Sequence, residues 1–300
     1  MHLGKDTSNC SNLQVNNKPM MTTSSEKYLG DILTCDAKME ENIKMRHDKG
    51  MAAINQIMSI LQEISFGRYH FEIGMVMRTS MLINGILYNT EALTSISSRH
   101  TDMLEECDKV FMRRLFSAEQ GTPIESFFLE TSAWPLRFII MGRKLMYYWT
   151  MLRKSDSELA KSVFNAQLKF PSKVEWISDT KDILNYCNIE LSAEDIKKMS
   201  QQKFKLIVKE KLQFKVMAYL IAMQNKHSKS EHLSYEGNMK EYLTDANLSV
   251  SEKKFLFKLR SKMLRIKSNF SSAYKNDLSC SLCLDKQSIE DENHLVACPL

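Results

Sequence analysis

Cys280, Cys283, His294 and Cys298 are separated by two, ten and three residues near the end of a chain of 300. A CxxC turn presents two thiolates from one side, and His294 and Cys298, four positions apart, share one face of a helical turn, so the four can close a tetrahedron. Thiolate and imidazole are the soft donors that Zn2+ prefers, and four of them leave no coordination position for water. The spacing predicts a zinc knuckle that builds structure and does no hydrolysis. A redox CxxC is the competing reading; it lacks the alternating strand and helix pattern such a motif sits in. Cys10, Cys35, Cys107 and Cys187 stand apart in the sequence and, with a zinc site, point to a reducing compartment.

The residues just before this cluster carry concentrated charge. Between Ser251 and Phe270 lie seven basic residues, Lys253, Lys254, Lys258, Arg260, Lys262, Arg265 and Lys267, against the single acid Glu252. Phe255, Leu256, Leu259, Met263 and Ile266 form an apolar stripe at helical spacing, so the stretch reads as one helix docked by its apolar face and cationic on the other. A lysine-rich face is often no more than soluble surface. Beside a zinc knuckle, such a face suits phosphate backbones.

These features need elements to hold them. The chain is 43% hydrophobic and 26% charged, with only 9 Gly and 5 Pro against 20 Met, a balance that favours a mainly α fold with long helices. Its net charge is +5, modest in sum, so the distribution matters more. Residues 1–25 contain no apolar stretch of signal-peptide length, and the most apolar region, Trp134 to Leu152, is interrupted by Arg137, Arg143 and Lys144, which a spanning helix would bury at several kcal/mol. A nuclear or cytoplasmic protein, not secreted and without a membrane partner, is expected.

Along the chain, Leu13 and Val15 alternate with polar residues before the turn at Asn16-Asn17-Lys18-Pro19. Tyr28 to Leu33 resumes an extended run, giving one hairpin plus a strand over residues 1–35. Nothing later has comparable strand character, so this scrap of sheet is expected to be the remnant of a truncated one. From the N-cap candidate Asp36, Met39, Ile43, Gly50, Ile54, Ile57, Leu61 and Ile64 recur at helical spacing; Lys38, Lys44, Arg46 and Lys49 lie on the other side, as a solvated face or as nucleic-acid contacts. Two further helices are expected over 75–87 and 103–116, completing a helical region over 36–117. Gly121-Thr122-Pro123 then breaks the pattern. A connector over 118–250 contains a helix that is apolar almost all round, with Tyr147, Tyr148 and Trp149 as core rather than base-stacking residues, a loop at Phe170-Pro171, a helix start at Ser192 and a polar stretch over 225–247. The basic helix (251–275) and the knuckle (276–300) follow.

Several of these residues are familiar in their order. Glu26-Lys27-Tyr28-Leu29-Gly30 with Ile32-Leu33, then Leu115-Phe116, Gly121-Thr122-Pro123, Phe127-Phe128-Leu129-Glu130-Thr131 and Pro135-Leu136-Arg137-Phe138-Ile139-Ile140 lie ahead of Leu259-Arg260, Met263, Asn269-Phe270 and the Cys280, Cys283, His294, Cys298, Pro299 tail. Over nearly its whole length the chain resembles the C-terminal part of a non-LTR (LINE-type) retrotransposon reverse transcriptase. The resemblance implies the end of a palm domain, a helical thumb and connector, and a cysteine-histidine tail that grips RNA, an RNA–DNA hybrid or a DNA duplex. It implies no small-molecule substrate, and it allows association with the remainder of a polyprotein.

The departures define the expected function. The family's polymerisation chemistry requires metal-bound carboxylates, which it supplies through an aromatic-x-Asp-Asp turn, and this chain contains no Asp-Asp dipeptide. Asp285, Glu290, Asp291 and Glu292 around the zinc loop read as solvated loop charges. No catalytic residue is expected, and Mg2+ is expected only if these residues belong to a longer active RNA-directed DNA polymerase. Two other functions stay open: that longer polymerase, and a protein-interaction module whose zinc knuckle only pins a helical scaffold.

Overall fold

Leu, Met, Lys and Glu at apolar spacings of three and four residues make helix the cheapest way for most of this sequence to satisfy its backbone, since each bond closes within the segment. A computed structural model describes residues 14–15, 18–19, 24–28, 30–34, 39–64, 66–93, 97–169, 176–226, 229–270, 273–274, 277–281, 283 and 288–298. The chain is mainly α, as its composition implies. In order its elements are β1 (Gln14–Val15), β2 (Lys18–Pro19), β3 (Ser25–Tyr28), β4 (Asp31–Thr34), α1 (Glu40–Glu63), α2 (His70–Met77), a π-helical segment (Arg78–Ile83) running into α3 (Asn84–Ile86), α4 (Ser98–Phe116), α5 (Ile124–Thr131), α6 (Leu136–Arg153), α7 (Leu159–Lys169), α8 (Trp176–Tyr186), α9 (Ala193–Lys198), α10 (Gln201–Gln224), α11 (Glu241–Thr244), α12 (Val250–Arg260) and α13 (Glu292–Ala297). No helix among the described residues is long and apolar enough to cross a membrane.

The N-terminal strands correct one expectation. β1 pairs antiparallel with β2, and β3 pairs antiparallel with β4, Tyr28 opposite Asp31, so there are two hairpins and not a hairpin plus a strand. Gly30 causes the second: at φ 92° it adopts the left-handed backbone a two-residue turn requires. The N-cap expected at Asp36 falls outside the described residues.

The helices cluster into two compact units, one drawn from residues 1–56, 79–108 and 139–208, the other from 57–78, 109–138 and 209–300. Helices α1, α4, α6 and α10 contribute residues to both. In the first unit, Ile43 and Ile54 of α1, Leu82, Ile86 and Leu104 are fully buried. Tyr148, Phe164 and Trp176 form a second aromatic centre, with Tyr147 edge-on to Trp176 and the Trp149 indole N–H donating to the Met199 carbonyl at 3.0 Å. The Tyr147–Trp149 cluster is thus part of the packing. Cys107 is buried, and desolvation pushes its thiol up to about 12, which keeps it a protonated apolar group.

In the second unit, Phe71, Phe116, Phe127 and Phe257 form one aromatic cluster, with ring centroids 4.7 Å apart for Phe71–Phe116, 4.3 Å for Phe116–Phe257 and 5.0 Å for Phe127–Phe257. It ties α2, α4, α5 and α12 together. Helix α12 starts as its sequence directs: Ser249 accepts from the Glu252 N–H while Glu252 accepts from the Ser249 N–H, a reciprocal capping box. The end is a correction. The helix stops at Arg260, and Lys262 sits at φ 51°, so the cationic run is one helix, a left-handed turn and a 3-10 turn (Lys267–Phe270), not a single helix to Phe270.

Gly50 sits in α1 where a Cβ would lie 2.8 Å from Ile86 Cγ2 and 2.9 Å from Cys107 Sγ. Glycine in a helix interior ordinarily costs about 1 kcal/mol relative to alanine. At this crossing the sign is reversed: Gly50→Ala should lower the urea-derived stability by about 1–3 kcal/mol through overpacking, and a stabilised variant would contradict the close approach.

Candidate functional site

The four residues singled out by spacing are brought together. The ligand atoms of Cys280, Cys283, His294 and Cys298 all lie within 4.8 Å of one another, and Cys283 Sγ is 3.3 Å from His294 Nε2. In a tetrahedral site with metal–sulfur and metal–nitrogen bonds of about 2.3 and 2.0 Å, ligands stand roughly 3.5–3.8 Å apart. The cluster therefore fits a metal ion once its most widely separated ligand atoms close by up to about 1 Å. Cys280 is buried and the others are partly so. Four protein ligands on one ion leave no position for a reacting water.

Short backbone elements aim these ligands. Residues 278–281 and 288–290 form a narrow antiparallel ladder: Cys280 N–H donates to the Ser288 carbonyl at 2.8 Å, Glu290 N–H to the Leu278 carbonyl at 2.8 Å, and Ser279 bridges Ile289. This holds Cys280 against the strand leading to α13. There Asp291 caps the helix by accepting from the His294 N–H at 2.7 Å, which sets the turn that brings His294 and Cys298 to one side.

The acids around this loop have structural partners. Glu290 accepts from the Ser281 N–H at 3.0 Å and the Lys267 N–H at 3.3 Å; burial acts to raise its carboxyl, but these donors hold it below the usual carboxylate range. Glu292 accepts from the Asn269 side chain at 2.8 Å, and Ser268 N–H donates to the Glu290 carbonyl at 3.1 Å. The expectation that Glu290, Asp291 and Glu292 are merely solvated is thereby corrected: they bind the metal loop to the end of the cationic run and cap its helix. Asp285 lies outside the described residues.

The eleven basic residues expected to contact nucleic acid divide by environment. Lys253 is fully buried, its ammonium donating to the Arg68 carbonyl at 2.7 Å and the Leu243 carbonyl at 2.8 Å. Burial holds its pKa below the ordinary lysine value. Two charge-assisted hydrogen bonds contribute about 1.5–3 kcal/mol each, whereas an exposed ion pair returns about 0–1 kcal/mol, so Lys253 stays inside and is removed from the contact set. Arg46 is corrected likewise. It is 2% exposed and donates to Asp31, to Asn42 at 2.8 Å and to the Ile86 and Tyr88 carbonyls, pinning β4 to α1. Lys38 lies outside the described residues. Lys44 and Lys49 are exposed, but they line a shallow groove with Glu41 and Asp48, so that face of α1 is mixed in charge, not a cationic stripe.

Within the run itself, Arg260 binds both carboxylate oxygens of fully buried Glu130, at 2.9 and 3.1 Å, and serves first to neutralise that acid. Lys254, Lys258 and Lys262 are partly exposed and Arg265 is exposed, its Nε donating to Glu119 at 2.8 Å. Lys267 lies 6.0 Å from the Tyr274 ring centre. The apolar stripe is corrected in part: Met263 and Ile266 are buried as expected, but Phe257 and Lys253 also face inward and Phe255 is 50% exposed. Sequence reasoning missed Lys229, whose ammonium sits 4.5 Å from the Phe270 ring centre, because it lies in a polar loop with no periodicity. It also missed Glu130 as the partner of Arg260; the signal was an acid inside the apolar run Phe127-Phe128-Leu129.

Comparison of the chain with protein-family models, curated proteins and solved structures finds no match.

Protein purified under reducing conditions should carry about one equivalent of a divalent metal ion by elemental analysis, and Cys283→Ser should lose it together with several degrees of thermal stability. Metal content that is negligible, or unchanged by the substitution, would contradict the site.

Proposed function

We propose that this chain binds nucleic acid through its second unit, as the C-terminal region of a non-LTR retrotransposon reverse transcriptase, with a structural Zn2+ at Cys280, Cys283, His294 and Cys298. The observation that carries the reading is the set of hydrogen bonds from Lys267, Ser268 and Asn269 to Glu290 and Glu292, which ties the metal loop to the end of the cationic run. The donor set, three thiolates and one imidazole, is the one that favours zinc among biological divalent ions.

The mechanism is association without covalent chemistry. Zinc, when bound, supplies a fixed crosslink between the ladder and α13. The turn at 261–270 is then held, and Lys254, Lys258, Lys262 and Arg265 offer their charges to phosphates, while Lys267 is paired with Asp277 at 3.5 Å. Tyr274, half-exposed beside Lys267, adds an aromatic face on which an unpaired base can stack. Lysine and arginine heads on flexible stems read the backbone and not the base sequence, so binding is salt-dependent and largely indifferent to sequence. RNA, an RNA–DNA hybrid and a DNA duplex all present such phosphates. No residue of this chain is assigned to Mg2+ or to nucleotide addition, and the cell compartment proposed is the nucleus or cytoplasm.

Fluorescence anisotropy with a labelled RNA of about 20 nucleotides tests the proposal. If the partly exposed cations make the contacts, Lys258→Gln/Lys262→Gln/Arg265→Gln should weaken binding about tenfold or more at 100 mM salt and reduce the slope of log K against log salt by about 2. Unchanged affinity in a variant with an unaltered melting curve would overturn it and leave a zinc-pinned helical scaffold.

A further inference from the structure

One side of α12 sets an aromatic ring among cations. Phe255 is 50% exposed, and the helical register puts it beside Lys254 and one turn before Lys258. Among the described residues neither ammonium has a hydrogen-bond or ion-pair partner. Burial, and then the Lys258 charge, hold the Lys254 pKa below the ordinary lysine value. The acid next to Lys253, Glu252, is taken up by the helix cap, its carboxylate accepting from the Ser249 N–H and hydroxyl, both at 2.7 Å. A second ring stands at the start of α2. The bond from Lys253 to the Arg68 carbonyl ties residues 67–69 to α12; Tyr69 is 47% exposed, and the Arg68 guanidinium lies 4.7 Å from its ring centre. The next residue, His70, is lowered to about 4 by burial and by the charges of Lys254 and Lys253, so it is neutral at pH 7 and the lysines carry the charge of the patch.

We infer that this patch takes an unpaired stretch of nucleic acid, with bases stacked on Phe255 and Tyr69 and their phosphates held by Lys254 and Lys258. The inference rests on the nucleic-acid reading above and adds which form the start of α12 selects. Two lysines one turn apart repel each other until an anion lies between them. A flat ring offers a face to any base, and aromatic rings set among cations are the means by which single strands are held without regard to sequence. Only an unpaired strand can turn its bases out; a duplex presents phosphates and keeps its bases stacked inside. Size argues against a protein partner. Phe255 has Ser251 and Glu252 one turn before it and Lys258 and the partly exposed Leu259 one turn after, so the apolar area is far below the roughly 800 Å2 that a stable protein interface takes from each side. A membrane surface asks for an apolar stripe along the helix, and on α12 Phe257 is buried in the aromatic cluster.

The test uses the full metal-loaded chain and one labelled RNA, single-stranded or annealed to its complement, in anisotropy at a fixed salt concentration. Phe255→Ala and Tyr69→Ala, at exposed positions and with unchanged melting curves, should each weaken binding of the single strand about fivefold or more and that of the duplex less than about twofold. Phe255→Leu should lose as much as Phe255→Ala, whereas Phe255→Trp should bind as tightly as the unaltered chain, because the base meets a flat face and not apolar bulk. The salt slope should stay the same in all of these variants, since no cation is removed. Full binding of the strand by Phe255→Ala, Phe255→Leu or Tyr69→Ala, or equal loss of strand and duplex, would overturn the inference while leaving cation-dependent binding of both forms in place. Failure of the unaltered chain to bind either form would instead remove the nucleic-acid reading, and this inference with it. Sedimentation with anionic vesicles that Phe255→Ala abolishes would also overturn it, by assigning the ring to a membrane.

Discussion

Burial of Phe257 against Phe116 and Phe127 fixes the rotation of α12, and the placement of the surrounding charges follows from it. Truncating a buried phenylalanine to alanine costs about 3–5 kcal/mol, well above what any one exposed lysine gains by choosing its own direction. With Phe257 inside, Lys253, four residues earlier on the same face, is carried inward too. A buried ammonium is tolerable only if its protons are accepted, and the Arg68 and Leu243 carbonyls accept them. Arg260 is turned at the same rotation to Glu130, a fully buried acid whose charge it compensates. Lys254 and Lys258 are left on the partly exposed side.

The metal loop depends on this framework and on an ion. The described residues of the metal loop form a two-rung ladder and one six-residue helix, and a module this small has too little apolar surface to fold alone, which is the situation in which small modules recruit a metal. Their tie to the rest runs through Glu290 and Glu292, whose acceptors take the backbone of Lys267 and Ser268 and the side chain of Asn269. The metal loop, the turn and α12 thereby act as one series of contacts, in which each link orients the next.

Much of this was legible in the sequence where one rule dominated. Ligand spacing alone located the metal cluster, because CxxC and His-x3-Cys allow few geometries. Ser192 announced a helix start through its side-chain acceptor. The misreadings came where a charged residue was assumed to face water. Lys253 and Arg46 are buried because distant segments supply partners for them, and no local pattern encodes a partner 40 or more positions away. The break at Lys262 was invisible because lysine is a good helix former; tertiary packing, with Met263 and Leu264 both buried, overrides its propensity. The second N-terminal hairpin was signalled by Gly30, which sat unnoticed inside an apolar run.

The account rests on metal, turn and cations working together, and one comparison tests that directly: the affinity of the chain for the same short RNA with metal bound and after chelation, at one fixed ionic strength. The lysine and arginine charges are identical in both states. The account predicts binding about tenfold weaker, with a shallower salt dependence, once the metal is removed. Equal affinity and equal slope in the two states would contradict it.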